Sequence, residues 1–311
     1  VSGSADDPPN PAAAHRIELP LPSLFSWPEC LAYLGRSKLE VLHRIEGEQL
    51  VEVVDLDGHL VRLKIQPAKD TAMLLIEFPQ NEPPEIRTAA ACYVREWFGL
   101  DEDLEPFYAM AQKDPLLAPV VSAHRGLRLI GIPDLFEALA WAIIGQQINL
   151  PFAYTMKKRL VETYGEALPG EDPWSGPERL FPRPDVIAAL APDDLRPLQF
   201  SGRKAEYVIG AARLLEEGRL SKCSLLRMEQ PEARETLLAI RGVGAWTADY
   251  VGIKCLRHPD AFPAGDAGLH QALKAGLGLD RKPLPAEIEQ AAAGWRGFEA
   301  MAAFYLWQSL L

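Results

Sequence analysis

The sequence predicts a mainly α protein with a small N-terminal α+β lobe, on three observations. Apolar residues recur with period two on both sides of Asp57-Gly58, the period turns helical beyond Pro83-Pro84, and two glycines two residues apart, Gly242 and Gly244, separate two helical stretches.

The elements follow in chain order. Residues 1–14 lack a starting Met, are rich in Ser, Asp, Pro and Ala, and are expected to form a disordered tail. An N-terminal α+β domain is expected over 15–100. In it Val51, Val53 and Leu56 precede Asp57-Gly58, and Val61, Leu63 and Ile65 alternate with Leu60, Arg62 and Lys64 after it; Asp-Gly between such runs signals a hairpin. An apolar run at 72–78 and a helical stretch at 28–34 complete an antiparallel sheet with helical cover. Past Pro83-Pro84, Ile86, Ala90, Tyr93, Val94 and Trp97 share one helical face, and Gly99 stands where a C-terminal cap belongs. A helical region is expected over 101–311. Asp134 and Glu137 start a helix at Leu135 like a capping box, a helix over 152–164 stops at Gly165, and one over 203–217 stops at Gly218.

Composition narrows the function classes. A chain of 311 residues is read as two or three lobes sharing buried surface, and 48% hydrophobic with 24% charged residues is an ordinary soluble balance. The apolar run 138–144 is broken at Gly145 and Gln146, too short for a membrane span, and no signal peptide is seen, so a cytoplasmic protein is expected. Cys30, Cys92, Cys223 and Cys255 lie far apart, with neither CxxC nor zinc spacing. They are expected to be buried thiols, and their scatter excludes a closely spaced four-cysteine iron–sulfur cluster. No metal is expected. His124, His258 and His270 have no partner spacing for a metal or a triad and are expected at the surface or at helix caps. A net charge of −11 argues against coating nucleic acid by bulk electrostatics. Any contact with phosphate must be local, at backbone amides of a helix N-terminus.

Such a place exists at 231–256, where a short helix from Pro231 runs into Ile240-Arg241-Gly242-Val243-Gly244 and a second helix starts near Ala245. Gly242 and Gly244 can take backbone angles closed to other residues and leave no Cβ between chain and ligand. Arg241 and Lys254 would add charge nearby. Taken alone, Gly-x-Gly between helices is also what an unliganded helix–helix turn looks like.

The string IRGVGAWTADYV resembles the helix-hairpin-helix of the DNA glycosylase superfamily that includes endonuclease III and the alkylation-repair glycosylases: Leu238, Ile240, Gly242, Val243, Gly244, Thr247 and Ala248 fit its pattern. The resemblance implies a catalytic Asp after a Gly/Pro-rich bend, supplied by Asp266 in Phe262-Pro263-Ala264-Gly265-Asp266. Read from the residues alone, Asp266 can equally be the N-cap of a helix over 267–277. A carboxylate suits the chemistry, because breaking an N-glycosidic bond leaves positive charge on the sugar.

Superfamily members that also nick DNA carry a Lys two residues after the second hairpin glycine, where this chain has Trp246. The chain therefore resembles the monofunctional branch, and most of all the bacterial 3-methyladenine DNA glycosylase II family. Three more stretches carry the likeness: Phe136 to Gln147, Leu198 to Glu206, and Trp295 to Trp307. It implies a base pocket of Trp246, Tyr250 and Phe298, although Trp246 and Tyr250 as an i,i+4 pair also fit a core. It also implies DNA contacts at Arg241, Gly242, Val243, Gly244, Gln146 and Gln147, with Gln147 at the place of the wedge that fills the gap left by a flipped nucleotide. Gln146 reads equally as a helix-end amide satisfying backbone groups. The expected partner is damaged double-stranded DNA, bound by a monomer, with no membrane and no cofactor beyond a monovalent cation at the hairpin. Two competing functions remain: a non-catalytic helix-hairpin-helix DNA-binding module, which needs no Asp266, and a hydrolase of soluble nucleosides, which needs no hairpin.

Overall fold

The structure, a computed structural model, describes residues 15–168, 174 and 176–310; the tail expected over 1–14 lies outside them. Strands β1 (Arg16–Pro20), β2 (His43–Glu46), β3 (Gln49–Leu56), β4 (His59–Pro67) and β5 (Met73–Glu77) form an antiparallel sheet in the order β1-β5-β4-β3-β2. Asp57 and Gly58 join β3 to β4 with φ of 55° and 86°, the two positive values that match a two-residue turn to strand twist. The alternation is there, but both of its phases are buried. Leu50, Val54, Leu63 and Ile65 enter the main core with helices α1 (Trp27–Leu34) and α2 (Pro84–Phe98). Val51 and Val53, on the opposite face, are buried as well. That face is covered from the helical region, where the Pro177 carbonyl accepts from Arg62 at 3.5 Å and the Trp174 ring centroid lies 4.8 Å from Lys64 Nζ. A sheet covered on both sides gives near-continuous apolar runs.

The rest is helical: α3 (Glu105–Ala111), α4 (Leu117–Ala123), α5 (Leu135–Gly145), α6 (Leu150–Tyr164), α7 (Pro184–Ala188), α8 (Gly202–Glu216), α9 (Lys222–Leu226), α10 (Gln230–Leu238), α11 (Ala245–Lys254), α12 (Ala267–Gly276), α13 (Pro285–Ala292) and α14 (Glu299–Gln308), with a 3-10 turn at Pro192–Leu198. Packing runs on past residue 100. Phe107, Leu117 and Val121 join the sheet core, and so do Leu269, Trp295 and Phe304 from the far end of the chain. From Leu135 to Ile144 every residue of α5 except Glu137 is buried. One side of α5 packs with α6 and α8, the other with α10 and α11, which is why its sequence is apolar all round.

Asp134 caps α5 by accepting the Glu137 N–H at 2.6 Å, but the Glu137 carboxylate accepts from Lys157 at 3.1 Å instead of returning to the cap. The expected capping box is therefore half made. Lys157 on α6 also donates to Glu40 at 3.2 Å, so a buried cluster of one ammonium and two carboxylates joins the N-terminal lobe to α5 and α6. Among the thiols, Cys30 and Cys255 are buried while Cys92 and Cys223 are exposed, which corrects the expectation that all four are buried. No helix among the described residues is long and apolar enough to cross a membrane.

The buried cluster sets an acid limit. Burial opposes ionisation of Glu40, yet Lys157, His43 and the N–H groups of Leu42 and Val41 outweigh it and hold the carboxyl at about 2, against an ordinary 4.5. At Glu137 burial wins and the carboxyl sits above its ordinary value, with Glu40 adding to the rise. A depressed folded value means that Glu40 contributes fully above its unfolded value of 4.5, and that its contribution is lost as pH falls toward about 2. We expect urea unfolding midpoints to fall between pH 6 and pH 3, and to fall less in Glu40→Gln. Equal slopes for the two proteins would refute this assignment.

Candidate active site and nucleic-acid interface

Residues 239–244 join α10 to α11, and the two glycines there do different things. Gly242 has φ 92°, and a Cβ on it would fall 2.1 Å from the Tyr207 ring, so no side chain fits. Gly244 has an ordinary φ of −94° and open space where its Cβ would be. It is the N-cap of α11 with no side chain capping the helix, so the first amides of α11 are left for an outside acceptor that can approach closely. Val243 is buried and closes the turn with its N–H on the Ile240 carbonyl at 3.0 Å.

The hairpin is held from two sides. Arg234 on α10 donates to the buried Asp249 on α11 at 2.6 Å. Gln146, at the end of α5, donates to the Gly242 carbonyl at 2.9 Å and to the Thr247 hydroxyl at 3.0 Å. Gln146 thus takes the backbone-satisfying role. Gln147 beside it is exposed and left-handed, with φ 56°, a region that Gln seldom occupies. Arg241 is exposed and paired with Glu206 at 2.6 Å. Lys254 is not near the hairpin, contrary to expectation. It is buried at the other end of α11, donating to the Tyr33 hydroxyl at 3.1 Å and to the Ile130 carbonyl, and burial lowers its pKa.

Asp266 ends a tight loop in which Ala264 N–H meets the Phe262 carbonyl at 2.9 Å and Asp266 N–H meets that of Pro263 at 2.8 Å. His270 braces this loop, its Nε2 donating to the Ala264 carbonyl at 2.6 Å. It is buried, so the expected surface or capping role does not apply. Asp266 is the N-cap of α12: Oδ1 accepts the Leu269 N–H at 2.6 Å. It is also clasped by two indoles, Trp307 Nε1 donating to Oδ1 and Trp246 Nε1 to Oδ2, each at 2.7 Å. A carboxylate has about four acceptor directions, and these three bonds leave one, on Oδ2. Gly268 makes room for the clasp, since a Cβ there would come within 3.3 Å of Trp307 Cδ1 and 3.1 Å of Asp266 Oδ1.

The aromatics form a row. Trp246 and Tyr250, one turn apart on α11, have ring centroids 5.5 Å apart at 32°, and Trp307 lies 6.0 Å beyond Tyr250 at 36°. All three rings are partly exposed, and the two end members hold Asp266. The ring neighbour of Phe298 is Phe107, at 6.1 Å, so the third ring of the row is Trp307 in place of Phe298. Trp141 on α5 donates its indole N–H to the Tyr250 hydroxyl at 2.8 Å. Sequence reasoning missed Trp307 and Trp141 as site residues, because nothing local in a sequence brings residue 307 to 266 or 141 to 250. Among the described residues no group of three or more His, Cys, Asp and Glu could hold a metal ion.

Known proteins share this architecture. Residues 140–296 match the family model described as HhH-GPD superfamily base excision DNA repair protein, and residues 16–134 match the AlkA N-terminal domain. A DNA-3-methyladenine glycosylase of Bacillus subtilis is 40% identical over 297 residues, 94% of this chain and 97% of the relative. DNA-3-methyladenine glycosylase 2 of Escherichia coli is 31% identical over 187 residues, 60% of this chain and 61% of its own length. Among solved structures, a 3-methyladenine DNA-glycosylase from Archaeoglobus fulgidus superposes with a TM-score of 0.80 at 24% identity, covering 94% of this chain and 97% of that one. An 8-oxoguanine glycosylase/lyase of Clostridium acetobutylicum does so with 0.71 at 18%, covering 92% and 91%. At these identities the likeness of structures establishes the fold, the mainly α class with an N-terminal sheet that the sequence predicts.

The two glycines should separate on mutation. Gly244→Val is expected to fold normally and to lose affinity for damaged and undamaged duplex alike. Gly242→Ala, which pairs a left-handed φ with a clash against Tyr207, should destabilise by about 1–3 kcal/mol. Thermal melts beside fluorescence-anisotropy titrations with duplex DNA test both, and wild-type affinity in Gly244→Val would remove the hairpin from the interface.

Proposed function

The chain belongs to the HhH-GPD superfamily of base excision DNA repair proteins, within its 3-methyladenine DNA glycosylase II family, and we propose that Asp266 carries its chemistry, with the hairpin 239–244 holding duplex DNA. The protein is a DNA glycosylase that excises alkylated bases. The observation that carries the site assignment is the carboxylate clasped by two indoles at the edge of a stacking row, one helix away from an open hairpin.

In this reading a flipped alkylpurine stacks against Trp246, Tyr250 and Trp307. Electron-rich faces favour an electron-poor cationic base, and each stacked base is worth roughly 1–3 kcal/mol. As the glycosidic bond breaks, the anion of Asp266 stabilises positive charge developing on the sugar. The free acceptor direction of Oδ2 is left for water or the sugar, while the other three bonds fix the group. A cationic leaving base needs little acid assistance, so no second acid is required. The gap left in the duplex falls to Gln147, which stands at the turn between α5 and α6. An anchoring module would have no use for the clasp on Asp266.

Hydrolysis on these terms needs no cofactor. A monovalent cation at the hairpin would be held by loop carbonyls; the Gly242 carbonyl, already accepting from Gln146, keeps a second lone pair for it. Its charge would strengthen the phosphate contact. We propose action as a monomer, and a chromosomal substrate implies the bacterial cytoplasm.

Monofunctional action rests on Trp246. An indole cannot form the imine that strand nicking requires, and the Lys of α11, Lys254, is buried at the far end of the helix. We expect an intact abasic site, with no cleavage before alkali; a protein–DNA adduct trapped by borohydride would contradict this.

Asp266→Asn should lose base excision and keep affinity for an abasic-site analogue. A unit charge about 4 Å from the developing cation, at an effective dielectric near 20, is worth on the order of 4 kcal/mol, or roughly a thousandfold in rate. Asn also turns an amide donor toward one of the two indole donors, so a modest drop in melting temperature is expected with it. Single-turnover excision within about threefold of wild type, far short of the loss expected on removing a charge from the reacting centre, would refute the catalytic assignment.

A further inference from the structure

We propose that Trp141 is a positioning residue for the base-stacking row: it fixes Tyr250 through their hydrogen bond, and the buried Glu40–Lys157–Glu137 cluster fixes Trp141. The proposal rests on the glycosylase reading and gives the N-terminal lobe a part in it.

Tyr250 packs against both Trp246 and Trp307, which hold opposite oxygens of Asp266, so a shift of its ring disturbs both. Tyr250 and Trp141 both line a cavity of about 60 Å³, with Arg36, Glu40, Tyr154 and Lys157 among its other walls. With open space beside these side chains, packing does not hold the Tyr250 hydroxyl from every side, and the indole N–H of Trp141 at 2.8 Å fixes it. Burial pushes the Tyr250 phenol well above its ordinary value, so the acceptor is a neutral hydroxyl.

Trp141 is itself fixed from three sides. It is buried on α5, its ring lies 4.8 Å from that of Tyr154, and Lys157 Nζ lies 5.5 Å from its centroid. Lys157 in turn is held by Glu137 and by Glu40. Glu40 accepts the N–H groups of Val41 and Leu42 at 2.8 and 2.9 Å, which anchors the cluster in the N-terminal lobe. Contacts therefore run unbroken from that lobe, through Lys157, Trp141 and Tyr250, to the indoles at Asp266.

A double-mutant cycle with Trp141→Phe and Tyr250→Phe tests this. Each change removes one partner of the hydrogen bond and keeps an aromatic ring. We expect each to slow single-turnover release of 3-methyladenine about tenfold, the rate equivalent of one buried hydrogen bond, and the double variant to be no slower than either. Affinity for duplex carrying an abasic-site analogue, which has no base to stack, should stay within about twofold of wild type. A merely structural tryptophan would lower melting temperature and both readouts together. Wild-type rates in either single variant, or losses that multiply in the double, overturn the proposal. If Trp141→Phe does not fold, Tyr250→Phe carries the test, because it removes the acceptor at almost constant volume. A wild-type protein that releases no methylated base would overturn the glycosylase reading instead, and the proposal with it.

Discussion

One interaction organises this molecule: the carboxylate of Asp266 is held by three donors while standing among aromatic rings. Apolar surroundings make an unpartnered anion costly by several kcal/mol, so the donors that hold it have to be fixed in advance. Asp266 draws them from three helices, an amide from α12 and an indole each from α11 and α14. Those helices all fall within residues 245–308, yet no local rule of the chain sets their angles to one another. Their mutual placement is what the packing has to guarantee, and much of the core can be understood as doing so.

The guarantee comes from α5 and from the folding back of the chain's end. Thr247 and Ala248, each 1% exposed, let α11 lie close on α5, and Gln146 locks the end of α5 to the hairpin. Helix α14 is buried along most of its length in the core that also holds the sheet, with the Tyr305 hydroxyl on the Leu127 carbonyl at 2.6 Å. The core around the sheet lobe thus takes in all three helices that reach Asp266, through Ile253 of α11, Leu269 of α12 and Phe304 of α14. Its covered outer face ties it again to the segment around Pro177.

What the sequence disclosed was local. The Asp57-Gly58 turn, the cap at Gly99 with φ 57° and the hairpin with its left-handed Gly242 follow from backbone rules that act over a few residues, and the structure has each of them. The cap at Asp266 was legible in the same way. A catalytic role for it followed from the resemblance, but the clasp did not, because the indoles that hold it come from 20 positions before and 41 positions after. Lys254 misled for the mirror reason. A Lys near the end of an amphipathic helix is ordinarily solvated, and only the tertiary fold turns it onto Tyr33 and Ile130. The burial of both sheet faces was likewise invisible, since the covering segment lies more than 100 residues away from its strand.

The ion pair between Arg241 and Glu206 leaves the guanidinium available, because it spends one N–H on the carboxylate while its side chain stays 79% exposed. An exposed pair of this kind is worth at most about 1 kcal/mol and weakens as salt rises. In so acidic a protein, Glu206 therefore lowers the net positive charge beside the hairpin without sealing the other donors of Arg241.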